Sequence, residues 1–182
     1  MKRNQILVRN IKHLTDARYF AAMGVDWMSM ELNSDPTSFM RWHTLKDWVE
    51  GVKLAAEIDA ADEMLLSKTI IDANPDGIVL VQLLDLEGVS DAELFFFFFY
   101  INPDKCPTDS FSIIHFDEID ADQILSLDPS TTFIQHDWTV DELENLLNLG
   151  YKGGICFSGG EEDATGMRDY EVIDELFRRL EG

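Results

Sequence analysis

The feature that most restricts this chain is a rhythm. Short apolar runs alternate with stretches of helical spacing from one end of its 182 residues to the other. Residues 5–9 read as an apolar strand, and 14–23 carry apolar and small residues at helical spacing until Gly24 stops them. A second strand spans 25–32, and Pro36 opens a helix through Trp42, Leu45, Trp48 and Val49 that ends at Gly51. Strand three is 52–58, helix three 61–73, and Asn74, Pro75, Asp76 and Gly77 form the turn into strand four at 78–83.

The rhythm then tightens. Only 84–93 precedes the next apolar run at 94–101, which leaves the fourth helix a turn or two, with strand five at 95–99 plus Tyr100. Residues 103–110 are too short and turn-rich for a fifth helix. Strands at 111–116, 132–136 and 153–157 follow, with helices at 121–127, 140–149 and 170–180. Eight strands in alternation predict an α/β fold. The expected form is a compact (β/α)8 TIM barrel, with the fourth and fifth helices shortened or missing; the runner-up is an open, doubly wound sheet. Such barrels typically run to about 250 residues, so this one is trimmed, and 1–182 reads as a single domain.

The five consecutive phenylalanines, Phe95 to Phe99, show no period-two alternation. That is the pattern of a strand buried on both faces of a helix-covered parallel sheet. Trp42 and Trp48 are expected in the core beneath the outer helices, and Trp27 and Trp138 beside strand ends, where they could line a pocket.

A net charge of −21 argues against a phosphate backbone or an anionic membrane as partner, since both require basic surface. No apolar run approaches the roughly 20 residues of a membrane span, and residues 1–8 lack the apolar segment of a signal peptide. The two cysteines, Cys106 and Cys156, have neither disulfide-scaffold density nor metal-ligand spacing. A cytoplasmic protein without metal or cofactor is the expectation.

Two stretches carry a family resemblance. VRNIKHLTDARYFAAMGVDWMSMEL, from Val8 to Leu32, is similar to the opening strand, KICGIT-like turn, Asp-Ala pair and Gly-Ala-Asp entry of phosphoribosylanthranilate isomerases, with Asp16, Ala17, Gly24 and Asp26 matching. ICFSGGEEDATGMRD, from Ile155 to Asp169, resembles that family's DVSSGVE segment and the Gly-x-Lys-Asp step after it. Ser158, Gly160, Glu162, Gly166 and Asp169 fall at the family's spacing, and Arg168 stands for the lysine.

The resemblance implies an Amadori rearrangement, an aldose-to-ketose isomerisation in tryptophan biosynthesis. Its base is a cysteine ending strand one and its acid an aspartate ending strand six. Here Arg9 holds the cysteine's position, with Asn10 for the following glycine and Lys12 for the threonine; His115 falls near the acid, and Cys156 replaces a strand-eight aspartate. Arginine stays protonated in proteins and cannot act as base. The substrate phosphate is expected on Ser158, Gly159 and Gly160, while the family's glycine pair after strand seven appears as His136 and Asp137. Arg9 at the mouth would clamp an anion or pair with Glu31 or Glu57, and His115, His136 and Cys156 are candidates to converge there.

These replacements imply an isomerase-like barrel that is catalytically impaired or noncatalytic. Its alternatives are an active phosphoribosylanthranilate isomerase, or another phosphosugar enzyme using the substituted groups. A small phosphosugar or anion is the expected ligand, and a homodimer through the thinly covered flank the expected assembly.

Overall fold

The computed structural model describes residues 3–58, 63–80, 97–101, 110–159 and 170–181. In chain order the elements are β1 Ile6–Arg9, α1 Leu14–Ala22, β2 Trp27–Glu31, α2 Pro36–Trp48, β3 Lys53–Ile58, α3 Glu63–Lys68, β4 Gly77–Leu80, β5 Phe97–Ile101, β6 Phe111–His115, α4 Ala121–Ser126, β7 Thr132–Gln135, α5 Val140–Asn148, β8 Gly154–Ser158 and α6 Glu171–Glu181. Every neighbouring pair of strands is parallel and in sequence order, and β1 pairs β8 from Ile6 opposite Ile155 to Arg9 opposite Ser158. The sheet therefore closes, which removes the free edges an open sheet would have. The expectation of shortened fourth and fifth helices falls on 81–96 and 102–109, outside the described residues.

Period-two alternation sorts the strand residues onto two faces. Ile6, Val8, Met28, Met30, Ile78, Leu80, Ile134 and Ile155 join the layer between sheet and helices. Leu7, Trp27, Ala55, Val79, Ile113, Phe133 and Cys156 fill the barrel interior. Trp27 thus lies among the first residues of the strands, at the end opposite the mouth, with the Lys53 ammonium 4.8 Å from its ring centre. Trp138 packs in the outer layer and its indole N–H donates to the Cys156 carbonyl at 3.1 Å. Neither lines the mouth.

Helix starts follow local chemistry. Asp35 accepts from the Thr37 amide ahead of Pro36, and reciprocal capping boxes, Asp120 with Gln123 and Thr139 with Glu142, open α4 and α5. Gly24, at φ 71°, takes the left-handed position that ends α1. Two carboxylates brace the floor of the barrel in the same way: Asp26 accepts from the Ile6 amide and Asp76 from the Leu54 amide, each at 2.8 Å.

Two expectations need correction. Trp48 is 55% exposed, with the Arg18 guanidinium stacked over its ring at 4.9 Å. The buried stripe of α2 runs through Ser38, Phe39, Trp42 and Leu45 to Val49, and Trp48 sits about 100° round the helix from Val49. The helix read as continuous over 61–73 changes character at Thr69, where Thr69–Ala73 widens into a π-helical turn that Asn74 closes at φ 45°. The widened turn aims its last carbonyls at α2, where the Trp42 indole donates to Ala73 at 2.9 Å and the Lys46 ammonium to Asn74 at 2.6 Å.

Candidate functional site

The C-terminal ends of the strands form the barrel mouth, where catalytic groups of such folds sit. β1 delivers Arg9, whose residue is 8% exposed. Its guanidinium forks onto the Glu57 carboxylate of β3: Nε lies 3.3 Å from Oε2, and Nη2 donates to Oε1. Nη1 donates to the Gln135 carboxamide oxygen of β7 at 2.6 Å. The Ser29 hydroxyl of β2 donates to Glu57 Oε2 at 3.0 Å and lies 3.3 Å from the Asn10 amide. Four strands thus meet in one hydrogen-bonded set. A planar fork matches a carboxylate in two bonds at once, and Arg9 uses that match within the protein.

Cys156 lies below this set. Its side chain is fully buried, and burial pushes the thiol well above its ordinary range; the Arg9 charge acts against that shift and Glu57 with it. A thiol so placed stays protonated at neutral pH and is a poor nucleophile or base. His115 ends β6 opposite Gln135 in register and is half-buried. His136 does not join it. One residue past the inward-facing Gln135, it projects outside the barrel against Phe116 and Trp138, with Asp117 Oδ2 at 3.6 Å and Glu142 Oε1 at 3.4 Å. The Thr139 hydroxyl and amide, followed by a smaller contribution from His136, hold the Glu142 carboxyl below its ordinary range. Asp137 and Glu31 are exposed, and Asn33 Nδ2 lies 3.4 Å from Glu31. Among the described residues no group of three or more His, Cys, Asp or Glu is placed to hold a metal ion.

At the expected phosphate turn, the Gly159 amide donates to the Arg9 carbonyl at 2.6 Å. A Cβ at this glycine would come within 2.7 Å of that oxygen and 2.9 Å of the Asn10 carbonyl. The glycine here permits β8 to close tightly on β1. Asn10 itself sits at φ 58°, where the resemblance has glycine, and asparagine tolerates that region better than most side chains. Ser158 ends β8, and Gly160 lies outside the described residues.

The matching residues of the opening stretch have structural employment. Asp16 is buried and accepts from the Tyr170 hydroxyl at 2.5 Å; Tyr170 stacks on Tyr19, which donates to Asp174. This crossed pair ties α1 to α6 across the seam where the barrel closes. Gly24 ends α1, and Asp26 braces β1.

Sequence reasoning missed Gln135, which completes the Arg9 set, and Ser29, which orders Glu57. Only their inward alternation could have signalled them. It also missed a hollow of about 340 Å³ outside the barrel wall, bordered by Ile11, Met30, Met40 and Arg41.

No protein-family model matches the chain, and no curated protein matches it. Solved structures do. It is similar along 98% of its length to a monomeric form of the dimeric phosphoribosylanthranilate isomerase of Thermotoga maritima, covering 99% of that chain, at a TM-score of 0.75 and 10% identity. The Thermus thermophilus isomerase superposes with a TM-score of 0.74 at 15% identity, covering 97% of this chain and 98% of that one. The Pyrococcus furiosus enzyme does so at 0.73 and 10%, covering 98% of each. At such identities the likeness is one of fold, and it spans nearly the whole of each chain. No helix among the described residues is long and apolar enough to cross a membrane.

Proposed function

We propose that this chain is a noncatalytic relative of phosphoribosylanthranilate isomerase, in which the mouth of the barrel has become a structural plug. The observation that carries this reading is the forked pairing of Arg9 with Glu57, seconded by Gln135. A base at this position must face the substrate with a free lone pair. Arginine has none to offer, and here its donors face the protein's own side chains. Losing a general base typically lowers a rate by about 10² to 10⁴.

The phosphate site is weakened in the same reading, because the Gly159 amide serves the Arg9 carbonyl. A phosphosugar at this mouth would have to displace Glu57 from Arg9 and find other backbone donors. The surviving matches with the family, Asp16, Gly24 and Asp26, hold helices and strands together. They would outlast the activity, since selection for the fold alone retains them.

The test is a direct isomerase assay that follows loss of phosphoribosylanthranilate fluorescence, with complementation of a tryptophan auxotroph alongside. No turnover and no growth are expected. Robust turnover would overturn the reading in favour of an active isomerase using replacement groups. Arg9→Cys combined with His115→Asp then asks how much of the site is left: continued silence, with no saturable binding of inorganic phosphate by calorimetry, is expected if the phosphate site has decayed as well.

A further inference from the structure

The side of α2 that faces away from the barrel carries an ordered stripe. The buried side of the helix runs through Ser38, Phe39, Trp42, Leu45 and Val49. Thr37, Met40, Arg41, Thr44, Asp47 and Trp48 are all exposed, and at about 100° per residue they fall within an arc of about 120° on the other side. Their spacing of three and four residues is that of a helix face that packs along a second helix. Two of the six are large and apolar: Met40 is 70% exposed, and Trp48 stays more than half exposed although the Arg18 guanidinium covers its ring.

The stripe is self-complementary about Thr44. Met40 and Arg41 stand four and three residues before it, Asp47 and Trp48 three and four residues after it. Two copies of α2 laid antiparallel about a two-fold axis at Thr44 therefore bring Met40 and Arg41 of each copy level with Asp47 and Trp48 of the other. A guanidinium then meets a carboxylate and an indole ring, and a thioether meets the same ring, at both ends of the seam; all are favourable contacts. Within the chain, no side chain among the described residues hydrogen-bonds or ion-pairs with the Asp47 carboxylate. Arg41 acts on Asp35 through charge alone, and that exposed carboxylate already accepts from the Thr37 amide and hydroxyl.

Charge favours this face over others. The chain carries −21 overall, and residues 110–151 hold acidic side chains and no Lys or Arg, so two copies repel each other across α4 and α5. Along the stripe Arg41 balances Asp47, and Arg18 lies beside it on Trp48. We infer that two copies of this chain pair through the outer stripe of α2, antiparallel about a two-fold axis at Thr44. This is a different face from the flank of the fourth and fifth helices to which the sequence pointed. Tryptophan and arginine are the residue types that carry most of the energy at such contacts. A helix of 13 residues spans about 20 Å, which places the contact at the small end of the interface range and its affinity in the micromolar range.

Sedimentation equilibrium of the whole chain from about 5 to 500 µM tests this, with an equilibrium between monomer and dimer expected at a Kd of about 10 to 100 µM. Thr44→Arg sets two cations against each other on the axis and should abolish the dimer. Circular dichroism should report an unchanged fold, since the position is exposed and arginine is a good helix former. Arg41→Asp alone and Asp47→Arg alone should each weaken pairing about tenfold through like charges. The two together should restore the Kd to within about threefold of the parent. The inference is overturned by a chain still monomeric at about 500 µM, by a dimer that survives Thr44→Arg, or by a charge swap that fails to restore pairing. None of these measurements involves the barrel mouth, so they stand or fall apart from the isomerase assay.

Discussion

Halfway up the barrel, Leu7, Ala55, Val79, Ile113, Phe133 and Cys156 fill the interior by contact alone; one step further along the strands, Arg9, Glu57, Gln135 and Ser29 fill it by charge and hydrogen bonding. The lower level is an ordinary core that excludes water and has no directional demands. The upper level occupies the place where a barrel enzyme keeps its reacting groups, and its polar atoms face one another. A catalytic mouth holds groups whose partners arrive with the substrate. Here the partners are already present, and the proposed noncatalytic reading rests on that difference.

The largest effect is expected at the lower level. Phe133→Ala should cost about 4 kcal/mol in chemical denaturation, as removal of a fully buried aromatic side chain does. Glu57→Ala comes next, at about 3 kcal/mol, because it leaves a guanidinium buried without its partner. A cost for Glu57→Ala under about 1 kcal/mol would mean the mouth is solvated like an exposed pair, and the contrast with the lower level would be lost. The sharper form is the double variant Arg9→Met with Glu57→Leu. Replacing a whole buried pair by apolar side chains is often neutral or stabilising, so it should cost less than Glu57→Ala alone, with a residual loss from the partners left at Gln135 and Ser29.

Smaller effects probe the edges. Thr139→Ala should cost about 1 kcal/mol by removing the cap of α5. It should also let the Glu142 carboxyl rise towards its ordinary range, which proton titration by NMR would read. Asp35, Asp128 and Glu142 are all held below their ordinary values, first by the hydroxyls of Thr37, Ser130 and Thr139 respectively. Their contribution to stability is therefore full above the ordinary carboxyl range and is lost as pH falls through the lowered values; a denaturation series in acid should show that sign. Trp48→Ala should change stability by no more than about 0.5 kcal/mol, as exposed positions do.

Much of the architecture could be read in advance because each element carries its own period. The strands at 5–9 and 52–58 lie within a residue of β1 and β3, and Pro36 and Gly24 mark helix boundaries where the structure has them. The readings that failed involved relations between elements. Trp48 looks like core by composition, and its exposure depends on which stripe of α2 meets the sheet. The wide turn at Thr69–Ala73 has no local signature and exists to meet Trp42 and Lys46. His136 belongs to the same short segment as Gln135, yet one residue of alternation places them on opposite sides of the wall.

At the mouth, the identity of Arg9 alone ruled out that residue as the base, since no fold deprotonates a guanidinium under ordinary conditions. The charge of −21 likewise argued against a nucleic-acid backbone or an anionic membrane as partner without any coordinates. Whether Arg9 would hold an outside anion or an inside carboxylate depended on which side chain lay opposite it, and Glu31 and Glu57 were equal candidates by residue type. Only the closed sheet decided for Glu57, by bringing residues 48 and 126 positions away in the chain within reach of one guanidinium. Local sequence determines period, turn and titratable chemistry because those are properties of neighbouring residues. The partner of a charge is a property of the space that distant strands enclose.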